Sequence, residues 1–346
     1  MSTAAEPDRD RLAVFDDLPL RVGWGTYRSL ESDRLSFVRQ LGVEDLLIMP
    51  WPFEDRTGAI PRADKWGYDQ LRRRRDRVED AGLRLTAIEM LPRPLYEILL
   101  ADSAERERLI EGVRETVRNL GRVGIPILGY SGLPPSGVGR TSRDATVRGG
   151  ARTTAFNGDA VDHEPIMADP PSEAELWDRY EMFLEAVLPV AEEWGVTLAA
   201  HPSDPPIEEL GGVPLLFRSR EAFDRALSIV PSDNHGLKFC VGCWSEMGED
   251  VPAIIDHFGD DIAYVHFRDV IGTLPRFTET FLDDPESNFA AYDVMAALDD
   301  AGFSGVMTPD HVPQVVGEEP MKLGGPRGHA FTVGYLKGVL EGITRR

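Results

Sequence analysis

Eight short apolar runs alternate with eight helical stretches along nearly the whole chain, and this alternation limits the fold more than any other feature. The runs are residues 20–25, 45–50, 83–90, 126–130, 196–200, 237–241, 262–267 and 305–307. Between and after them lie the periodic stretches 32–41, 65–81, 102–120, 172–194, 219–229, 250–258, 289–301 and 328–343. Parallel strands need a crossover between neighbours, so strict alternation implies a parallel sheet with helices outside it. Eight units favour a closed (β/α)8 TIM barrel over an open doubly wound sheet, and no glycine-rich phosphate turn follows any run. By length alone, 346 residues fit one barrel with insertions or two ordinary domains. The alternation selects the first: a flexible N-terminus over 1–18, then one barrel from 19 to 346 with a long loop insertion at 131–171. The insertion lacks an apolar period and reads as a functional loop or lid, less often as disorder; the second and third helical stretches are expected to close at Gly82 and Gly121.

Several classes of function are excluded before any site is considered. No apolar run approaches the roughly 20 residues that span a bilayer, and the N-terminus lacks the basic start and apolar core of a signal peptide. A net charge of -22 argues against nucleic acid or an anionic membrane surface as a partner. The expected compartment is the cytoplasm, and the sequence leaves a homo-oligomer open. Only four of the 37 basic residues are lysines (Lys65, Lys238, Lys322, Lys337), against 59 acids. Such acid-rich, lysine-poor surfaces suit a salt-adapted, halophilic protein, because screening removes the mutual repulsion of hydrated carboxylates.

Four of the runs end abruptly at side chains able to bind a metal. His201, Cys240, His266 and Asp310 close runs five to eight, and in such barrels the C-terminal strand ends carry the chemistry. Two imidazoles, a thiolate and a carboxylate suit Mn²⁺, Fe²⁺, Co²⁺ or Zn²⁺ and leave positions open for a chelating substrate. Taken singly, each has a bland reading as a hydrogen-bonded histidine or a small buried cysteine. Cys240-Val241-Gly242-Cys243 is also a CxxC. A redox pair would sit at a helix start and a structural zinc would need two more ligands, so Cys243 is expected to be a bystander.

The segments His201-Pro202-Ser203-Asp204-Pro205-Pro206, Cys240-Val241-Gly242, His266-Phe267-Arg268-Asp269-Val270 and Pro309-Asp310-His311 resemble, in order, the motifs of the D-mannonate dehydratases. The run from Leu188 to Val196 that leads into the fifth strand is similar as well. The resemblance implies a xylose-isomerase-like barrel holding Mn²⁺ or Fe²⁺ through His201, Cys240, His266 and Asp310, of a haloarchaeal type. It implies a hydro-lyase that removes water from D-mannonate to give 2-keto-3-deoxy-D-gluconate. The competing readings are a metal-dependent sugar isomerase or epimerase on the same barrel, and a ligand-binding barrel without turnover.

The resemblance makes His311 the proton-moving group; its bland reading is a hydrogen-bond partner beside the metal. The family carries a catalytic tyrosine shortly before the last helix, where this chain has residues 321–329 without one, so His329 is the candidate to stand in. Its alternative is a capping or packing histidine. Ser203 also replaces an aspartate of the family, and the loop 131–157 is only loosely like the family's arginine-bearing loop. Arg268 is a candidate to pair with the carboxylate of a sugar acid, against an ion pair with Asp269 or a neighbour. Arg140, Arg143 and Arg152 could close over an anionic substrate or be solvated charges, with Arg143 taken as the substrate-binding candidate. Glu89 ends the third run and is a candidate to touch substrate or support the metal ligands, while Asp204 is expected to orient His201 or its loop.

Overall fold

The computed structural model describes residues 6–16, 18–26, 30–49, 63–132, 139–161, 164–318 and 324–345. Its central sheet is wholly parallel and bends round on itself. In space, the strands run Arg21–Val22, Val306–Pro309, Ile262–Phe267, His235–Cys240, Thr197–His201, Ile127–Ser131, Arg84–Ile88, Asp45–Ile48 and Trp24–Thr26. The first and last of these are halves of one strand, interrupted at Gly23. Val22 pairs with Met307 on one side and Trp24 with Leu46 on the other, so the split strand joins the two edges into an eight-membered barrel. Gly23 is required there by close approach: its amide donates to Met307 O at 2.7 Å, and a Cβ would lie 2.5 Å from Val306 Cγ2.

Period-two alternation decides which side chains meet inside the barrel. Leu46, Leu198, Val265 and Met307 face the helices and belong to the large core. Their neighbours Leu47, Ala87, Ala199, Tyr264 and Val306 form a separate cluster within the barrel. Two residues beyond Ala87, Ala199 and Tyr264 on the same face come Glu89, His201 and His266; Asp310 lies four beyond Val306. Cys240 follows Lys238, whose Nζ lies 5.6 Å from the centre of the Tyr264 ring. The inward faces of the strands therefore deliver these residues to one end of the barrel.

The helices follow the expected positions with local corrections. Glu173–Trp194 starts with a reciprocal capping box between Ser172 and Glu175 and stops at Gly195 in the left-handed conformation (φ 64). Ser103–Val123 runs past Gly121, the expected stop, and ends at Gly124 (φ 74). Gly121 serves close packing instead, since a Cβ there would meet Trp194 O at 2.5 Å. Two short helices, Leu95–Leu100 and Val241–Met247, had no sequence counterpart. No described helix is long and apolar enough to cross a membrane.

Two segments expected to be irregular contain regular structure among the described residues. Within the segment read as 1–18, Arg9–Leu12 is helical; the Asp8 amide donates to Gly121 O at 2.8 Å and Arg11 pairs with Glu79. Within the insertion, Ser142–Val147 and Ala151–Asn157 form an antiparallel hairpin rather than a structureless loop. It pairs with a second hairpin, Asp269–Thr273 and Arg276–Thr280, directly after the seventh barrel strand, giving a separate four-stranded sheet. Phe156 and Phe277 stack across the join with ring centres 5.4 Å apart.

Candidate metal centre

His201, Cys240, His266 and Asp310 are all buried, and one ligand atom of each lies within 4.8 Å of the others. Each imidazole is held by one nitrogen so that the other is left for the cluster. His201 Nδ1 donates to Pro202 O at 2.7 Å, which leaves the lone pair on Nε2. His266 is turned the opposite way: Nε2 donates to Glu89 Oε1 at 2.8 Å, while Nδ1 has no hydrogen bond and lies 3.4 Å from Asp310 Oδ1. Cys240 Sγ is 3.9 Å from Asp310 Oδ2. A buried imidazole nitrogen without a hydrogen bond, beside a carboxylate and a thiol, is a donor set that fits a divalent transition metal.

The charges agree with that use. Burial raises the Cys240 thiol, but a hydrogen bond with Cys243 and the charges of Arg268 and His201 hold it well below the usual thiol range. Burial likewise raises Asp310, yet His311, His266 and Arg268 keep it well below the usual carboxylate range. Burial lowers His266, and Asp310 and Glu89 outweigh burial and the opposing charge of Lys238 to place it at about 9. In the metal-free protein a proton thus occupies the charge balance that a cation would otherwise supply.

Beside this cluster lies another, without histidine, of Asp204, Cys243 and Glu246, whose ligand atoms also fall within 4.8 Å of one another. Two buried guanidiniums fill it. Arg268 Nε donates to Asp310 Oδ2 at 3.1 Å, Nη1 to Glu246 Oε1 at 2.6 Å, and Nη2 to Asp204 Oδ2 at 3.2 Å. Arg140 donates to Glu279 Oε1 at 2.7 Å, to Glu246 Oε1 at 3.2 Å, and to Asp204. Gly242 makes room for this, because a Cβ there would stand 2.4 Å from Arg268 Nη1.

The sequence-based site residues fare unevenly. The four metal candidates come together, and Glu89 supports His266, with Lys238 Nζ 3.9 Å from its carboxylate. His311 Nδ1 donates to Glu279 Oε1 at 2.5 Å, and its Nε2 is 3.8 Å from Asp310 Oδ2. Arg268 does not point into the mouth: it is 1% exposed and its donors are taken by Asp310, Glu246 and Asp204. Arg143 is exposed on the hairpin, Arg152 pairs with Asp144 at the surface, and it is Arg140 that reaches the interior. His329 meets main chain, with Nδ1 2.9 Å from Gly325 O and Nε2 3.1 Å from Asp310 O, so it braces the backbone of a metal candidate. Asp204 binds Arg140 and Arg268 rather than His201.

Cys243 is also more than a bystander. Arg268 Nη2 lies 3.2 Å from its Sγ, and Cys240 caps the helix Val241–Met247, so the CxxC does open a helix. Glu246 and Glu279 were missed from sequence. The only signal for Glu279 was the alternation of residues 276–281, one acid in a short β pattern with threonines and phenylalanines.

A parallel barrel with buried His, Cys and Asp donors that could hold a metal ion gathered at one end defines a protein of the xylose-isomerase-like TIM-barrel class. The fold recurs in an L-ribulose 3-epimerase structure, 17% identical, TM-score 0.58, covering 94% of this chain and 96% of the other. The particular family is more specific: the D-mannonate dehydratase (UxuA) model matches residues 19–168 and 169–346, and this chain belongs to that family. A mannonate dehydratase of Oceanobacillus iheyensis is 30% identical over 314 residues, 82% of this chain and 88% of its own length. One from Streptococcus pneumoniae is 28% identical over 315 residues, 83% and 85% of the two lengths. The crystal structure of mannonate dehydratase from Streptococcus suis serotype 2 superposes with a TM-score of 0.85 at 26% identity, covering 95% of this chain and 94% of that one. These relatives are bacterial, and the haloarchaeal type expected from the sequence is not borne out by them.

Proposed function

We propose that this protein is a metal-dependent hydro-lyase that converts D-mannonate to 2-keto-3-deoxy-D-gluconate and water. The observation that carries the reading is the gathering of four inward-facing donors around an imidazole nitrogen left without a hydrogen bond, in a chain of this family. His201 through Nε2, Cys240 through its thiolate, His266 through Nδ1 and Asp310 through its carboxylate would hold the ion, with Mn²⁺ or Fe²⁺ favoured and Co²⁺ or Zn²⁺ compatible. When bound, the ion supplies positive charge that offsets the charge developing on the substrate as the C2 proton leaves.

The chain's own groups do the rest. The C2 proton and the C3 hydroxyl depart together as water, leaving an enol that becomes the 2-keto acid. That requires a group to accept one proton and a group to donate another. His311, next to Asp310 and held by Glu279, is the group we assign to proton movement. His329 is buried, which lowers its imidazole below the usual histidine range, and both ring nitrogens face main-chain carbonyls, of Gly325 and Asp310. We assign it to positioning Asp310 rather than to exchange with substrate. Glu89 orients His266, and Arg268 neutralises Asp310 from behind instead of binding the sugar acid.

In this reading residues 19–346 form one barrel unit with the insertion as its cover, working on a small sugar acid in the cytoplasm. The acid-rich composition supports salt adaptation, tested by whether the melting temperature rises between low and molar salt. Activity is tested with purified protein, Mn²⁺ and D-mannonate, scoring the 2-keto-3-deoxy acid with semicarbazide. Absence of product across a panel of aldonic acids, with metal present and at high salt, would refute the assignment.

A further inference from the structure

The four-stranded sheet does more than cover the barrel end, because it carries a carboxylate to the histidine beside Asp310. Glu279 is 3% exposed and both of its oxygens are engaged. Thr154 Oγ1 donates to Oε2 at 2.5 Å, while Arg140 donates to Oε1 through Nη2 at 2.7 Å and Nε at 3.2 Å. The strand pairing explains the first contact. Arg276, Phe277 and Thr278 pair with Asn157, Phe156 and Ala155, and the next step of that register sets Glu279 opposite Thr154. The expected loop insertion and the hairpin after the seventh barrel strand thus meet at one carboxylate.

An ionised carboxylate can only accept hydrogen bonds, and a neutral imidazole carries one N–H. His311 Nδ1 lies 2.5 Å from Glu279 Oε1, so an N–H resides on Nδ1, and in the neutral ring the lone pair is then on Nε2, the nitrogen on the side of Asp310. We propose that Glu279 is the positioning residue that fixes the tautomer and ring orientation of His311, and that the insertion holds Glu279 for this purpose through Thr154 of the hairpin Ser142–Asn157 and Arg140 just before it. Without the carboxylate either tautomer is available, and a proton-moving histidine in the wrong tautomer loses most of its effect. This inference rests on the dehydratase reading for its kinetic arm only.

The first test is ¹⁵N NMR of histidine-labelled, Zn²⁺-loaded wild-type protein, with the His311 signals assigned by comparison with His311→Gln. Protonated Nδ1 and bare Nε2 are expected; protonated Nε2 would overturn the proposal. The second is kinetics on the Mn²⁺-loaded enzyme. Glu279→Gln and Glu279→Ala are expected to lower kcat by about 100-fold or more with KM within about threefold and metal content unchanged. Thr154→Val, which removes only the hydroxyl on Oε2, is expected to lower kcat by roughly three- to tenfold. A kcat within about threefold of wild type in Glu279→Ala, or a loss that follows metal content instead, would show that Glu279 does not act through His311. Should a Glu279 variant fail to fold, the wild-type NMR result still decides. A wild type that turns over no sugar acid would remove the dehydratase reading and leave the tautomer assignment standing or falling on its own spectrum.

Discussion

Two neighbouring clusters on the same barrel end each gather a cysteine and buried acid, yet they are charge-balanced in different ways. One gathers His201, Cys240, His266 and Asp310; the other gathers Asp204, Cys243 and Glu246; both bring ligand atoms within 4.8 Å of one another. In the second, Arg140 and Arg268 supply the positive charge as protein side chains, and the acids are satisfied by guanidinium hydrogen bonds. In the first, a single guanidinium nitrogen reaches Asp310, the remaining countercharge is a proton on His266 that a cation can displace, and the Nδ1 of His266 has no hydrogen bond. Proximity of donors therefore does not distinguish a metal centre from an internal salt bridge. What distinguishes them is which cluster already holds its countercharge.

The largest expected effect comes from removing a donor of the first cluster. Cys240→Ser and Asp310→Asn should each cut bound Mn²⁺, measured by elemental analysis after dialysis, and lower activity by about 1,000-fold or more. Next is removal of the countercharge from the second cluster. Arg268→Met leaves Glu246 and Asp204 short of a partner in a dry site, and denaturant unfolding should show a loss of about 3–5 kcal/mol. An unchanged midpoint would mean that the guanidinium is not what holds that cluster together.

Smaller effects probe how the first cluster is tuned. Glu89→Gln keeps the shape of the His266 partner but removes its charge, and should weaken Mn²⁺ affinity by roughly 10- to 100-fold by calorimetric titration. The pH dependence follows from His266, which burial lowers but Asp310 and Glu89 raise to about 9, above its ordinary value near 6.5. Its contribution to the stability of the metal-free fold is complete below about 6.5 and is lost as pH rises through about 9. Mn²⁺ must displace that proton, so its affinity should climb by up to about tenfold per pH unit and level off near pH 9.

The first cluster was legible in the sequence because local patterning builds it. A ligand at the end of each of four barrel strands, on the face shared with Ala199, Tyr264 or Val306, needs only the period-two rule and the barrel count. The second cluster was not legible, because its members are brought together by pairings far apart in the chain. Arg140 reaches Asp204 across 64 positions and Glu246 across 106, and Arg268 reaches Asp204 across 64. Ser142–Val147 hid its strand character because both faces are largely solvent-exposed, so no apolar alternation marks it. The same cause misplaced Arg268: as an arginine two residues after a metal candidate it looks free to meet substrate, until three acids from other segments are in place around it.

The two cysteines of the CxxC, one in each cluster, give the most direct test of the account. Co²⁺-loaded protein should show sulfur-to-cobalt charge-transfer absorption in the near ultraviolet in wild type and in Cys243→Ser, and should lose it in Cys240→Ser. Persistence of that absorption in Cys240→Ser, or its disappearance in Cys243→Ser, would contradict the division of the barrel end into a metal centre and a guanidinium-filled neighbour.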